Sequence, residues 1–392
     1  MKLLSSERQN IPVSVRVSRF NGTNGTDEYH MVLSPLKLAD FGVQINWLYA
    51  AYLDTLDSLG LDPETAVLRR FFCSDLANQS ALLDKLPFSG LSRTNERCAI
   101  SWVCQPPGSS AMVSLWAYHV HDIGNPLKKI RESNCLFLDR GGMKHYWTCG
   151  MNRPAEDTSY QQTMDIFAGY NDFLHGQGMS LEQNVIRTWF FVQNIDTNYR
   201  EFTAARKEFF AAHGLTENTH FISSTAVQGS HANILAKVTM DAYSISGLKP
   251  GQVRFLEAPE HLSSTYVYGV TFERGTSVAY GDRKHLIISG TASIDSKGNV
   301  LYQGDLSRQL DRTIENMGAL LENAGASLHD MVVMIAYVRD PADHFLVSTN
   351  MKRRFENIPV LTVCARVCRP DWLVEIEGIA IIPFRDVTLP AF

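Results

Sequence analysis

Residues Met317–Pro341 read MGALLENAGASLHDMVVMIAYVRDP. Before Gly325, Leu310, Ile314, Met317, Leu320 and Leu321 recur at helical spacing with Asp311, Arg312, Glu315 and Glu322 between them. After it, MVVMIAYV is an apolar, β-branched run of strand length. Gly325 stands where a left-handed residue ends a helix. The same helix, glycine stop and strand are written twice more: YAAYLDTLDSLGLDPETAVLRRFFCSDL (Tyr49–Leu76) about Gly60, and FAGYNDFLHGQGMSLEQNVIRTWFFVQNI (Phe167–Ile195) about Gly178. The chain is a threefold repeat, and its fold follows from that.

Working outward, a short strand precedes each helix: EYHMVLSP (Glu28–Pro35), KHYWTCGM (Lys144–Met151) and KHLIISGTAS (Lys284–Ser293), with His30, His145 and His285 aligned. An apolar strand closes each copy: MVSLWAYHV from Met112, AKVTMDAYSI from Ala236 and WLVEIEGIAI from Trp372. Aligning Val113, Val238 and Val374 puts Ser114, Thr239 and Glu375 at one position, and Trp116, Asp241 and Glu377 two residues on. The carboxyl at the first position is private to the third copy. Glu375 and Glu377, two apart on a strand, point to one face. The recurring histidines read as a shared structural position.

A second helix follows the first in REFTAARKEFFAAHG (Arg200–Gly214) and in DHFLVSTNMKRRFE (Asp343–Glu356). Each copy is then a strand pair, helix, strand, helix, strand, strand. The glycines are spaced by about 120 residues and then more, because HDIGNPLKKIRESN and the stretch from Ser246 to Asp282 add material; such a period means tandem domains, not a solenoid. We expect domains at 1–123, 124–250 and 251–392. The class is α+β, with helices on one face of each mixed sheet. Three such sheets cover their other faces by closing around a pseudo-threefold axis, as a trimer of separate chains would. Ligand clefts are then expected between neighbouring domains.

Composition is that of an ordinary globular protein, 45% hydrophobic and 20% charged. A net charge of -5 gives no basic stripe for nucleic acid. Seven cysteines without CxxC pairs fit neither a disulfide framework nor a zinc site and favour a reducing compartment. The start, MKLLSSERQNIPVSV, lacks a signal-peptide core, and no segment approaches the ~18 apolar residues of a membrane span. The expectation is a cytoplasmic chain with no membrane or nucleic-acid partner, a monomeric pseudo-trimer or weak homo-oligomer. No HExxH, phosphate loop or dinucleotide fingerprint occurs, so no metal or other cofactor is expected.

ISGTASID (Ile288–Asp295), GDLSRQLDRTIENM (Gly304–Met317), YVRDPADH (Tyr337–His344) and VCRPDWLVEIEGIAI (Val367–Ile381) resemble the YjgF/RidA superfamily of endoribonuclease L-PSP-like proteins. GTAS, CRPDWLVEIE, and VIRTWFFVQNI with REFTAARKEFFAAHG are similar to its chorismatase branch. The resemblance implies three tandem RidA-like, chorismate mutase-like domains, the first degenerate, that imitate the family trimer with one working site. It implies that Glu375 is the general acid, that Cys368 lines the pocket as a second catalytic candidate, and that Ser289, Gly290 and Thr291 form its substrate-binding turn. The arginine with which family deaminases grip a carboxylate falls, with one gap, on Leu361, which speaks against imine deamination.

The activity implied is removal of pyruvate from chorismate or a similar enolpyruvyl cyclic carboxylate. That needs a proton delivered to the vinyl methylene, which suits a carboxyl kept protonated by a crowded, apolar strand. Two substrate carboxylates call for arginine forks. Arg206 and Arg187 of the second copy and Arg366 and Arg369 of the third are the candidates, with Tyr199 as a further donor. Cys364, Arg366 and Cys368 share a strand face by alternation, though they make no metal site. Alternatives remain a RidA-type imine or enamine deaminase and a non-catalytic metabolite-binding protein. The product, a dihydroxycyclohexadiene acid or a hydroxybenzoate, stays open.

Overall fold

The computed structural model describes residues 11–83, 97–108, 110–124 and 126–392; most of the stretch read for a leader falls in residues 1–10, outside them. The first copy forms β1 (Val13–Phe20), β2 (Thr26–Pro35), α1 (Phe41–Leu59), β3 (Ala66–Cys73), α2 (Leu76–Leu83), β4 (Ala99–Cys104) and β5 (Val113–Asp122). The second forms β6 (Lys128–Glu132), β7 (Cys135–Arg140), β8 (Met143–Asn152), α3 (Ser159–Gly176), the single turn α4 (Leu181–Asn184), β9 (Val185–Val192), α5 (Ile195–Ala212), β10 (Ser223–Gln228) and β11 (Val238–Ser246). The third forms β12 (Val253–Phe255), β13 (Gly275–Ala279), β14 (Arg283–Ala292), α6 (Leu306–Asn323), β15 (Met331–Val338), α7 (His344–Arg354), β16 (Val360–Cys364) and β17 (Val374–Pro383).

The three sheets share one topology. In each, the last strand lies at the centre (β5, β11, β17), antiparallel to the strand before the first helix and to the strand after it, with a parallel strand (β4, β10, β16) at the far edge. The ladders bear out the alignment of the central strands: Val113 opposes Cys73, Val238 opposes Val192 and Val374 opposes Val338, each the last residue of its partner. Helix α6 shows the local logic. The Asp305 side chain caps it by accepting from the Arg308 N–H at 3.0 Å, the predicted apolar residues are buried, and Gly325 ends it at φ 78°. Gly60 and Gly178 repeat that left-handed stop at 66° and 70°.

Helices α1, α3 and α6 each cover one face of their own sheet. The opposite faces meet in a common interior that joins Trp116 and Tyr118 of the first sheet, Trp147, Trp189 and Tyr243 of the second, and Ile287 and Ile379 of the third. The architecture is the three-domain α+β pseudo-trimer. A buried arginine–carboxylate pair crosses each interface: Arg70 to Asp241 at 2.9 Å, Arg187 to Glu377 at 2.5 Å and Arg283 to Glu28 at 2.6 Å. No helix among the described residues is long and apolar enough to cross a membrane.

The histidines need a correction. His145 and His285 do share a register, opposite Ile245 and Ile381, but Glu28 holds that position in the first sheet and His30 lies two residues on, opposite Tyr118. Strands β8 and β14 bulge near Gly150 and Gly290, and β2 runs straight, so the linear alignment slips on the ladder. His285 meets Glu28 at 2.9 Å, and His145 meets the Tyr243 hydroxyl at 2.7 Å. Burial would raise the Glu28 carboxyl, but His285 and Arg283 more than offset it and hold it well below the usual range.

Burial pushes the His30 and His145 imidazoles down to about 3. The unfolded chain takes up their protons below its ordinary value of 6.5, whereas the folded chain refuses them until about 3. The stability contributed by these two histidines is therefore complete above pH 6.5 and is lost as pH falls through that window, by about 1.4 kcal/mol per unit per histidine. Urea midpoints should drop between pH 7 and 5, and the drop should lessen in His30→Gln.

Candidate active site

Glu375 is the second residue of β17, flanked by Tyr337 of β15 and Ala292 of β14. It is 5% exposed and lines a cleft between the second and third sheets. Its carboxyl lies against Gly290, where any Cβ would overlap it. That close approach is what requires the glycine of the turn. Burial first, and then the neighbouring Glu377, push the Glu375 carboxyl up to about 8, with Arg187 and Arg274 pulling partway back.

The facing wall is Tyr199 and Arg206 of α5 with Ser224 and Ala226 of β10. The roof is Val270, Phe272 and Arg274 from the connection into β13, and Cys368, Arg369 and Trp372 close the near side. Three guanidinium groups thus line the cleft. Arg206 donates from Nε to the Thr271 hydroxyl at 3.2 Å and lies 5.0 Å from the Phe202 ring. Arg274 donates from Nε and Nη2 to the Ser263 carbonyl at 3.3 and 3.0 Å. Arg369 stacks 4.8 Å from Trp372 and reaches the Gly298 carbonyl at 3.4 Å. Among the described lining residues Glu375 is the one carboxyl.

The residues expected from sequence fall into three groups. Glu375, Cys368, Arg206, Arg369, Tyr199 and Gly290 line the cleft together. Arg187, Ser289 and Thr291 lie beneath it: Arg187 pairs with Glu377 and donates to the Ser289 hydroxyl at 2.9 Å, Ser289 donates to the Glu273 carbonyl at 2.5 Å, and Thr291 donates to the Ser289 carbonyl at 2.9 Å. Arg366 stands apart, in a separate outer groove, its side chain 54% exposed and paired with Asp196 at 2.9 Å. The strand face expected for Cys364, Arg366 and Cys368 does not form, because β16 ends at Cys364 and the chain leaves the ladder. Arg274, Phe272 and Val270 were not read from sequence: they sit on the inserted connection, which has no counterpart in the other copies to align with.

Burial and the adjacent Glu375 push the Cys368 thiol up to about 12, so it lines the wall as a thiol and not as a nucleophilic thiolate. At the positions equivalent to Glu375, Ser114 is tied to Ser34 at 2.8 Å and Thr239 is buried. Among the described residues, no three His, Cys, Asp or Glu side chains come together as metal ligands.

Residues 276–382 match the family described as Endoribonuclease L-PSP. A RutC family protein of Pyrococcus abyssi is 34% identical over 97 residues, 24% of this chain and 76% of that protein. The 3-aminoacrylate deaminase RutC of Acinetobacter baylyi is 30% identical over 95 residues, 24% of this chain and 75% of that enzyme. Among solved structures, a chorismatase superposes with a TM-score of 0.63 at 18% identity, covering 81% of this chain and 93% of its own, a likeness of fold across all three copies.

Proposed function

We propose that this chain, which belongs to the YjgF/RidA superfamily, is a chorismatase-like hydrolase that releases pyruvate from chorismate or a similar enolpyruvyl cyclic dicarboxylate, with Glu375 as general acid. The observation that supports it is a single carboxyl, kept protonated near neutral pH, on the floor of a cleft walled by three arginines. Such a site is matched to a dianion that needs one proton.

Arg206, Arg274 and Arg369 fix the two substrate carboxylates, and the apolar walls of Phe272, Trp372 and Ile294 hold the ring. Glu375 gives its proton to the vinyl methylene, which becomes a methyl group, and the positive charge falls on the ether-bearing carbon. Water adds to that carbon and returns a proton to Glu375. The hemiketal then collapses: its hydroxyl proton passes to the ring oxygen, the carbon–oxygen bond breaks, and pyruvate and a ring alcohol leave. General acid transfer of this kind contributes about 10²–10⁴ in rate.

The deaminase reading has less support. Leu361, at the position of the family's carboxylate-gripping arginine, is buried on β16 opposite Ile335. Incubating the purified chain with chorismate and following pyruvate with a coupled enzyme tests the proposal, with chromatography to identify the ring product. Pyruvate no faster than the uncatalysed background would reject it. Arg274→Met should lower kcat/KM about 10- to 100-fold by removing one charge-assisted fork, with circular dichroism unchanged.

A further inference from the structure

Beneath the cleft, Glu377 is gripped by four donors: Arg187 Nη2 at 2.5 Å, Tyr337 Oη at 2.9 Å, Trp189 Nε1 at 3.1 Å and the Thr225 hydroxyl. All four give hydrogens, so the carboxylate must offer lone pairs to each of them, as the ionised form does. Thr225 in turn accepts from the Gly290 N–H at 2.9 Å, and so one hydroxyl joins this clamp to the turn under Glu375. Resting on the hydrolase reading above, we propose that Glu377 is a positioning residue of the site: its clamped carboxylate fixes a negative charge beside Glu375 and, through Thr225, seats the turn on which the acid lies.

The geometry makes the charge effective. Residues two apart on a strand are separated by about 6.5 Å, and both side chains are buried, at 5% and 3% exposure, so solvent screens little between them. Around Glu375 stand Glu377 on its own strand, Arg187 on β9, Arg274 before β13, Cys368 and Arg369 before β17, Tyr337 on β15, and Tyr199 and Arg206 on α5. Glu377 opposes ionisation of Glu375 while Arg187 and Arg274 favour it. Arg187 is occupied by Glu377 itself. Removing the Glu377 charge thus deletes the opposing group and leaves the Arg187 charge unbalanced, and both changes favour the ionised acid.

The second copy supplies the contrast. Asp241, at the same register, takes Arg70 at 2.9 Å, the Ser101 hydroxyl at 2.5 Å and the Gly150 N–H at 2.7 Å, with Thr239 in the place of the acid. There the clamp can only staple an interface. In the third copy the same device stands beside a carboxyl, and a titration separates stapling from tuning.

The test uses no substrate. Infrared difference spectra of the full chain over pH 5–10 would follow the carboxylic C=O band that Glu375→Gln removes. In Glu377→Gln the band should vanish at least one pH unit lower than in the parent chain, a tenfold or greater rise in the acid's ionisation constant. If that variant fails to fold, Arg187→Met with Glu377→Met replaces the buried pair by apolar groups, a change that folds tolerate; the band should then move the same way by a smaller amount. A folded charge variant whose Glu375 band titrates where the parent's does would overturn the proposal. Failure to turn over chorismate would count against the hydrolase reading alone.

Discussion

Glu375→Gln should cut pyruvate release by about 10³-fold or more and at the same time make the chain more resistant to heat at pH 8. The amide keeps the shape and neutrality of the protonated carboxyl and removes its proton. The two effects have one origin. The folded Glu375 carboxyl sits at about 8 against an ordinary 4.5, so between those values the folded chain holds a proton that the unfolded chain has released. Stability contributed by this group is complete below pH 4.5 and is lost as pH rises towards 8, at about 1.4 kcal/mol per unit. Glutamine escapes that loss. The melting temperature of the variant relative to the parent should therefore climb from pH 5 to pH 8, and an unchanging difference would show that the acid is not protonated in the fold. In the parent chain, kcat/KM should be level at neutral pH and fall tenfold per unit above about pH 8. Release by Glu375→Gln within tenfold of the parent would remove this residue from the chemistry.

The second large effect is expected at a residue with no side chain. Gly290→Ala introduces a methyl group into the space of the Glu375 carboxyl, with the Thr225 methyl 3.2 Å behind it. The acid must move, because the methyl is bonded to a backbone that is itself held by Thr225. A displacement of 1 Å costs about 10² in rate when geometry is the source of catalysis. The expected result is a hundredfold fall in kcat with a circular dichroism spectrum like the parent's. Equal activity would mean that the acid works from another rotamer.

The repeat made much of this legible. Helix spacing, glycine stops and the central-strand alignment need only local rules, and they lead to three similar sheets and to Glu375 as the odd residue among Ser114 and Thr239. Arginine was harder. Arg187 and Arg206 both come from the second copy, yet one lies under the cleft and the other lines it, because a difference of strand against helix decides where a long side chain ends. Arg366 and Cys368 part company where β16 stops, and alternation has no meaning beyond a strand's last ladder bond. Arg274 was invisible because it lies on an insertion without an internal counterpart. His30 misled because bulges at Gly150 and Gly290 change the count along two of the three strands.

The interface pairs have a consequence for how the cleft behaves in solution. In a ring of separate subunits, a cleft between neighbours exists only while the ring is assembled, and dilution empties it. Here the Arg187–Glu377 contact joins two parts of one chain, so closure is a first-order event with a high effective concentration. The cleft is as complete in a single molecule as in a concentrated solution. Covalent continuity also frees the three interfaces from having to be alike, so one of them can hold a destabilising acid while the other two remain staples.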